Sequence, residues 1–220
     1  MTELDLVSVR TRILTDKDNI VDIMDRYAKD KIGPNDVITV AESVVAITQG
    51  RFTRPEDLTP CFLAKVLCRF IPQEGSMSSV YGMQAVMDIE GKYRVLYAMI
   101  VGMLSKIIGK SGVFYNLAGR QAALIDDVTG TMPPFDKCLV YGPDQASQVA
   151  QEIKERLGCY GAAVADVNDL KRSLIVGTSE GLPAAELAKI LIDNPFGNAS
   201  QQTPIVIIKN YAAAKAQAEV

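Results

Sequence analysis

Ala162-Ala163-Val164-Ala165-Asp166-Val167-Asn168-Asp169 reads as a short apolar strand that runs into a group of side-chain oxygens. In sheets flanked by helices, ligands gather just past the carboxyl ends of strands, so this stretch marks both a central strand and a candidate site. If the strand continues, Asp166 and Asn168 share a face, and with Asp169 they offer hard oxygen ligands of the kind that magnesium and manganese take. The same residues also suit a turn closed by an Asx cap.

Working outward, Gly142-Pro143 precedes an amphipathic helix over 144–157, and a strand is expected before it at 138–141. Downstream come a strand at 174–176, a helix over 183–192 and a strand at 205–208, then an Ala-rich tail at 211–220, mobile or helical. The first half opens with period-two alternation over 6–13, a strand with one polar face. Thr15-Asp16-Lys17-Asp18 supplies a helix start for apolar positions Ile20, Ile23, Met24 and Tyr27, and Gly33-Pro34 ends that helix. A strand over 36–40 follows, leading into 41–51, which periodicity leaves open between helix and strand. Thr59-Pro60 starts a helix with the stripe Phe62, Val66, Leu67 and Phe70, and 73–79 is a loop. Residues 83–108 are helical with a break at Glu90-Gly91, and strands are expected at 113–118 and 121–125. The pattern is α+β, with mixed sheets and packed helices. The chain is expected to be one domain with subdomains 1–112 and 113–210.

Composition narrows the chemistry. The 220 residues are 48% hydrophobic and 22% charged, with a net charge of −3 and no histidine. Ser-His-Asp and Cys-His catalysis, His bases and His-containing zinc sites are therefore excluded. A pI near 5.1 argues against nucleic acid as a partner. The opening MTELDLVSVR lacks a signal-peptide pattern, and the longest apolar run, 95–104, is half of a membrane span, so a cytoplasmic chain without a membrane anchor is expected. Cys61, Cys68, Cys138 and Cys159 form no C-x-x-C pair and read as reduced thiols, with Cys61 and Cys68 packing in a core.

Among phosphate motifs, Gly109-Lys110-Ser111 lacks the first P-loop glycine, because position 104 is Leu. Asp127-Val128-Thr129-Gly130-Thr131 has the look of an aspartyl-phosphate motif but comes too late in the chain, and an acidic turn explains it better. The pair Asp126-Asp127 could add carboxylates to the Asp166 group, as phosphate-bound divalent ions require. Arg51 after Gly50, and Arg120 after Gly119, stand on turns from which a guanidinium could reach a phosphate.

The order of Val9-Arg10-Thr11-Arg12, Gly33-Pro34-Asn35-Asp36-Val37, the Glu42-to-Arg51 segment, Gly112-Val113 and Val164-Ala165-Asp166 resembles the coenzyme F-420 L-glutamate ligase family over residues 7–209. The resemblance implies a gamma-glutamyl-ligase-like fold of two intertwined subdomains, a homodimer, and GTP as co-substrate with a divalent metal, magnesium or manganese. Its substrates would be a small acid and an amino acid, joined through an acyl phosphate. It matches Asp166 to a family metal ligand; together with the readings above, the candidates are Asp127, Asp166, Asn168 and Asp169 for the metal, Glu42, Ser43, Arg51 and Arg120 for the nucleotide, and Asp126 and Asp127 for acid-base work. The family carries basic residues at the positions of Ser43 and Ile47, and its acidic residue after Gly-Val falls near Phe114 or Tyr115. A relative that kept the fold but binds a small molecule or partner without transfer chemistry is the alternative.

Overall fold

The computed structural model describes residues 4–72, 76–110, 112–125, 133–197 and 199–218. Along the chain, β1 (Leu6–Val9), α1 (Ile20–Ala28), β2 (Val37–Ala41) and α2 (Glu42–Thr48) are followed by β3 (Phe52–Thr53), α3 (Phe62–Leu67), α4 (Val80–Glu90), α5 (Lys92–Ile107), α6 (Val113–Ala118) and α7 (Arg120–Leu124). Then come β4 (Leu139–Val140), α8 (Ala146–Leu157), β5 (Gly161–Asn168), β6 (Arg172–Thr178), α9 (Ala184–Ile190), β7 (Ile205–Ile208) and α10 (Tyr211–Ala218). The class is α+β, as the sequence indicates. Two compact units divide it: residues 1–50 with 143–220, and residues 51–142. The division falls at 50 and 142 rather than at 112, because residues 113–118 and 121–125 pack with α4 and α5.

In the first unit five strands lie in the order β1-β7-β2-β5-β6. Only β2 and β5 run parallel, in the register Val37↔Gly161 to Ala41↔Ala165. The neighbouring pairs are antiparallel. Side-chain alternation sends Ile38, Val40, Ala162, Val164, Ile205 and Ile207 to a core with α1 and α8. Val37, Ala163, Ala165, Val206 and Ile208 go to a second core with α9 and α10. Covered on both faces, β7 is the unbroken apolar run Ile-Val-Ile-Ile. Helix α1 starts at Ile20, after the expected 15–18 start, and Asn19 caps it: its Oδ1 accepts the amides of Val21 at 2.9 Å and Asp22 at 3.2 Å. The tail is helical through Ala218, and Tyr211 at its start is buried.

At Gly177 of β6 the start of α8 comes so close that an added Cβ would lie 2.4 Å from the carbonyl carbon of Ala146. Backbone cannot yield as a side-chain tip does. Gly177→Ala should therefore destabilise the first unit by about 1–3 kcal/mol through overpacking, read as a lower urea midpoint with an unchanged slope.

The second unit packs α3 to α7 and the β3-β4 ribbon around Leu67, Met83, Val86, Val95, Met99 and Phe114. Residues 113–118 and 121–125 are helices, not strands. Their β-branched and aromatic residues suit a strand locally, but Phe114 and Ala118, four apart on α6, and Ala122 on α7 are buried in the core of this unit, with Ile125 just past the end of α7. Gly112 and Gly119, at φ 80° and 115°, separate these short helices from their neighbours. Helix α3 buries Ala64 and Leu67 while Phe62 and Phe70 face outward, and Cys61 is exposed rather than packed. The ambiguous stretch after β2 is helix α2, closed at Gly50 with φ 68°.

Candidate functional site

The parallel register that ends at Ala41↔Ala165 brings the next residues, Glu42 and Asp166, to the carboxyl ends of adjacent strands. Glu42 opens α2 and is buried, with Ser43 half-buried beside it. Asp166 continues the face of Ala162 and Val164 and is half-buried. Burial lifts its carboxyl above the ordinary value, and burial is the sole cause of the shift. Among the described residues it meets no cation and accepts no hydrogen bond. A desolvated carboxylate without a counter-charge is costly to maintain, and so it is a mark of a ligand site.

The family landmark Val9-Arg10-Thr11-Arg12 lies at the same end of the sheet, since Val9 pairs with Ile205 and Val40 pairs with that same residue. Thr11 is buried there, its amide bonded to the Gln202 carbonyl at 2.9 Å. The Arg12 guanidinium pairs with Asp18 and holds that carboxyl below its usual range. Arg10 is exposed at the carboxyl end of β1 and is a cation at this sheet end that sequence reading used only as a landmark. Strand order, which no local pattern carries, was the missing signal.

Asn168 and Asp169 are occupied otherwise. The Oδ1 of Asn168 accepts the amides of Leu170 at 3.0 Å and Arg172 at 3.3 Å, closing the β5-β6 hairpin as an Asx turn. Asp169 accepts the side-chain amide of Asn194 at 2.6 Å and is exposed. Among the described residues no three Cys, Asp or Glu side chains converge as a metal-holding group. Asp126 and Asp127 lie outside the described residues. Arg51 and Arg120 belong to the second unit: the Nε of Arg51 donates to the Gly142 carbonyl at 2.7 Å, and Arg120 is exposed at the start of α7. The neighbouring Gln121 is buried and bridges both backbone groups of Gly142, so Arg120 sits on a fixed turn. None of the helices among the described residues is long and apolar enough to cross a membrane.

No curated protein matches the chain. A model of the F420-0:Gamma-glutamyl ligase family matches residues 8–167, a span that opens one residue before Val9-Arg10-Thr11-Arg12 and closes at Asp166-Val167. That span takes in the ends of β1, β2 and β5 where Arg10, Glu42 and Asp166 stand, and on it the chain belongs to the F420-0:Gamma-glutamyl ligase family.

Proposed function

We propose that the protein is a metal- and nucleotide-dependent carboxylate–amine ligase that adds glutamate, or a similar amino acid, to a small acid through an acyl phosphate. The observation that supports this reading is Asp166: a half-buried carboxylate at the end of a central strand, beside Glu42, with no internal counter-charge among the described residues. Such all-oxygen, anionic donors fit a hard divalent cation, magnesium or manganese. Asp166 would hold it, with Asp127 as a further ligand. When bound, the ion neutralises charge on nucleotide phosphates.

Amide formation in water is uphill, so the acid must first be activated. Its carboxylate oxygen attacks the γ-phosphorus of GTP, a P–O bond forms, and the β–γ P–O bond breaks to release GDP. The amine nitrogen then attacks the acyl carbon, a C–N bond forms, and inorganic phosphate leaves with the C–O electron pair. With no histidine in the chain, the ammonium proton passes to a carboxylate, for which Asp126 and Asp127 are proposed. On the first unit, Ser43 is proposed to border the phosphates. Homodimer formation and cytoplasmic location belong to the same proposal.

Thermal melts with manganese or magnesium, each with GTP, ATP or GDP, test it. A ligand at ~100 times its Kd stabilises by ~2.7 kcal/mol. Asp166→Asn should remove the metal-dependent shift, and an equal shift in mutant and parent overturns the assignment. The metal-free protein supplies a second readout. Because burial raises the Asp166 pKa, its charge opposes folding: stability present below the unfolded pKa is lost as pH rises through the folded one. Metal-free Asp166→Asn should thus melt no lower than its parent at neutral pH. A folded protein that binds metal and nucleotide but consumes no GTP with acid and amine present would favour the binding-module alternative.

A further inference from the structure

The β3-β4 ribbon sets its polar side chains on one face. Its ladder, Phe52↔Val140 and Thr53↔Leu139, continues into Arg51 and Tyr141, where the Tyr141 amide donates to the Arg51 carbonyl at 3.0 Å. Period two then puts Arg51, Thr53, Leu139 and Tyr141 on one side, while Phe52 stays on the other, its ring edge-on to Phe135. Leu139 and Tyr141 pack on the core that α4 lines with Met83, Val86 and Met87, and Gln84 and Asp88 stand one turn apart on the same helix.

Two opposite charges meet here, each fixed and each unpaired. The Nε of Arg51 donates to the Gly142 carbonyl at 2.7 Å, which leaves the two terminal nitrogens of this half-buried residue without a partner among the described residues. The Oδ1 of Asp88 accepts the side-chain amide of Gln84 at 2.7 Å, and Gln84 is buried and in turn accepts the Cys61 amide at 2.9 Å. The Oδ2 of Asp88 has no partner among the described residues, and Arg51 and Asp88 form no ion pair with each other. Both nevertheless act on one phenol. Burial raises the Tyr141 pKa, a hydrogen bond with Thr53 draws it back, the Asp88 charge raises it and the Arg51 charge lowers it.

We propose that this face of the second unit binds a free α-amino acid as its zwitterion, with the ligand's carboxylate on the terminal nitrogens of Arg51 and its ammonium on the Oδ2 of Asp88. A guanidinium whose Nε is taken presents its two terminal nitrogens as a fork that fits a carboxylate. An ammonium carries only donors, and the free carboxylate oxygen carries only lone pairs. A ligand with a single charge satisfies one of the two groups and leaves the other unpaired, whereas a zwitterion satisfies both for the ordering of one small molecule. The inference does not rest on the ligase reading and needs neither metal nor nucleotide.

Ligand-observed NMR titrations of the full chain at pH 7, free of metal and nucleotide, test it with L-alanine, L-glutamate, propionate and ethylamine. Both amino acids should bind. Propionate is alanine without its ammonium and ethylamine is alanine without its carboxylate, so each lacks a charge-assisted contact and should bind at least about tenfold more weakly than alanine. Asp88→Asn keeps an acceptor for Gln84 and removes the charge from an exposed side chain. That variant should fold as the parent does, bind alanine only as weakly as propionate, and bind propionate unchanged. Arg51→Gln should lose propionate and keep ethylamine. If Arg51→Gln misfolds for want of its bond to Gly142, the Asp88→Asn comparison still decides. A parent that binds neither amino acid, a parent that binds propionate as tightly as alanine, or an Asp88→Asn variant with undiminished alanine binding overturns the inference. None of these results touches metal-dependent stabilisation by nucleotide, so the amino-acid site and the ligase reading fail separately.

Discussion

Asp36→Ala is expected to lower the stability of the first unit by about 3–5 kcal/mol, the cost of breaking a buried, hydrogen-bonded ion pair. The carboxylate is buried where β2 begins. It accepts from the Gly33 amide, the Lys209 ammonium and the Asn210 amide, each at 2.8 Å, so it ties the turn before β2 to the residues that follow β7. The Asp36 carbonyl takes the Tyr160 amide at 3.0 Å, and the Asn35 carbonyl takes the Ala212 amide at 3.0 Å, which adds the approach to β5 and the start of α10 to the same knot. Removing the carboxylate leaves two amides without their acceptor and a half-buried ammonium with only the Lys31 carbonyl.

The pH dependence carries a definite sign. Burial alone would raise the Asp36 pKa, but Lys209 and the two amides outweigh it and hold the group below its usual value. A lowered folded pKa means that the contribution is fully present above the ordinary carboxylate range and is lost as pH falls through the folded value. Urea melts should show parent and Asp36→Ala far apart at pH 7 and converging in acid. A difference under ~1 kcal/mol at pH 7 would show that the three contacts are not what holds β2 to β7. Lys209→Met should cost less than Asp36→Ala, because both amides keep their acceptor.

Ile47→Lys is expected to cost at least about 3 kcal/mol, and Ser43→Lys less than ~1 kcal/mol. Both positions carry basic residues in the ligases that the chain resembles, yet α2 treats them differently. Ile47 is 6% exposed, so lysine there loses apolar burial and brings a charge toward a low dielectric. Ser43 lies half-buried in the first turn of α2, beside Glu42 at the end of β2. There a lysine stem can lie along the surface with its ammonium in water. Denaturation curves on the single variants separate the two cases. An Ile47→Lys protein as stable as the parent would mean that the side chain reaches solvent by snorkelling. With Ser43→Lys folded, GTP titration tests the phosphate role: a charge-assisted contact of ~1.5–3 kcal/mol tightens binding by roughly tenfold or more. No tightening would remove Ser43 from the nucleotide site.

Local pattern carried much of the architecture. The strand at 205–208 is Ile205–Ile208 in the fold, and the break at Glu90-Gly91 separates α4 from α5 with Gly91 at φ 91°. In both cases one property, an unbroken apolar run or a residue free to take positive φ, acts within a few positions of itself. The stretch from 113 to 125 misleads for the opposite reason: Val113, Phe114 and Tyr115 favour strands, and packing on α4 and α5 overrides that preference. Asp166 was legible because small apolar residues run straight into it. The Asn168 and Asp169 oxygens looked equivalent to it in sequence, and the hairpin uses them for its own amides and for Asn194.

By itself the sequence determined the absence of histidine chemistry, the apolar strands and amphipathic helices, and the family landmarks in their order, since each depends on composition or on neighbours within a turn or two. Only the tertiary structure decided that β2 and β5 pair in parallel, that Glu42 and Asp166 therefore share a sheet end, and that the chain divides at 50 and 142. Strand partners more than a hundred residues apart are chosen by which faces can be buried together. That choice is a sum over two cores and both neighbouring strands, and no single stretch of the chain contains it.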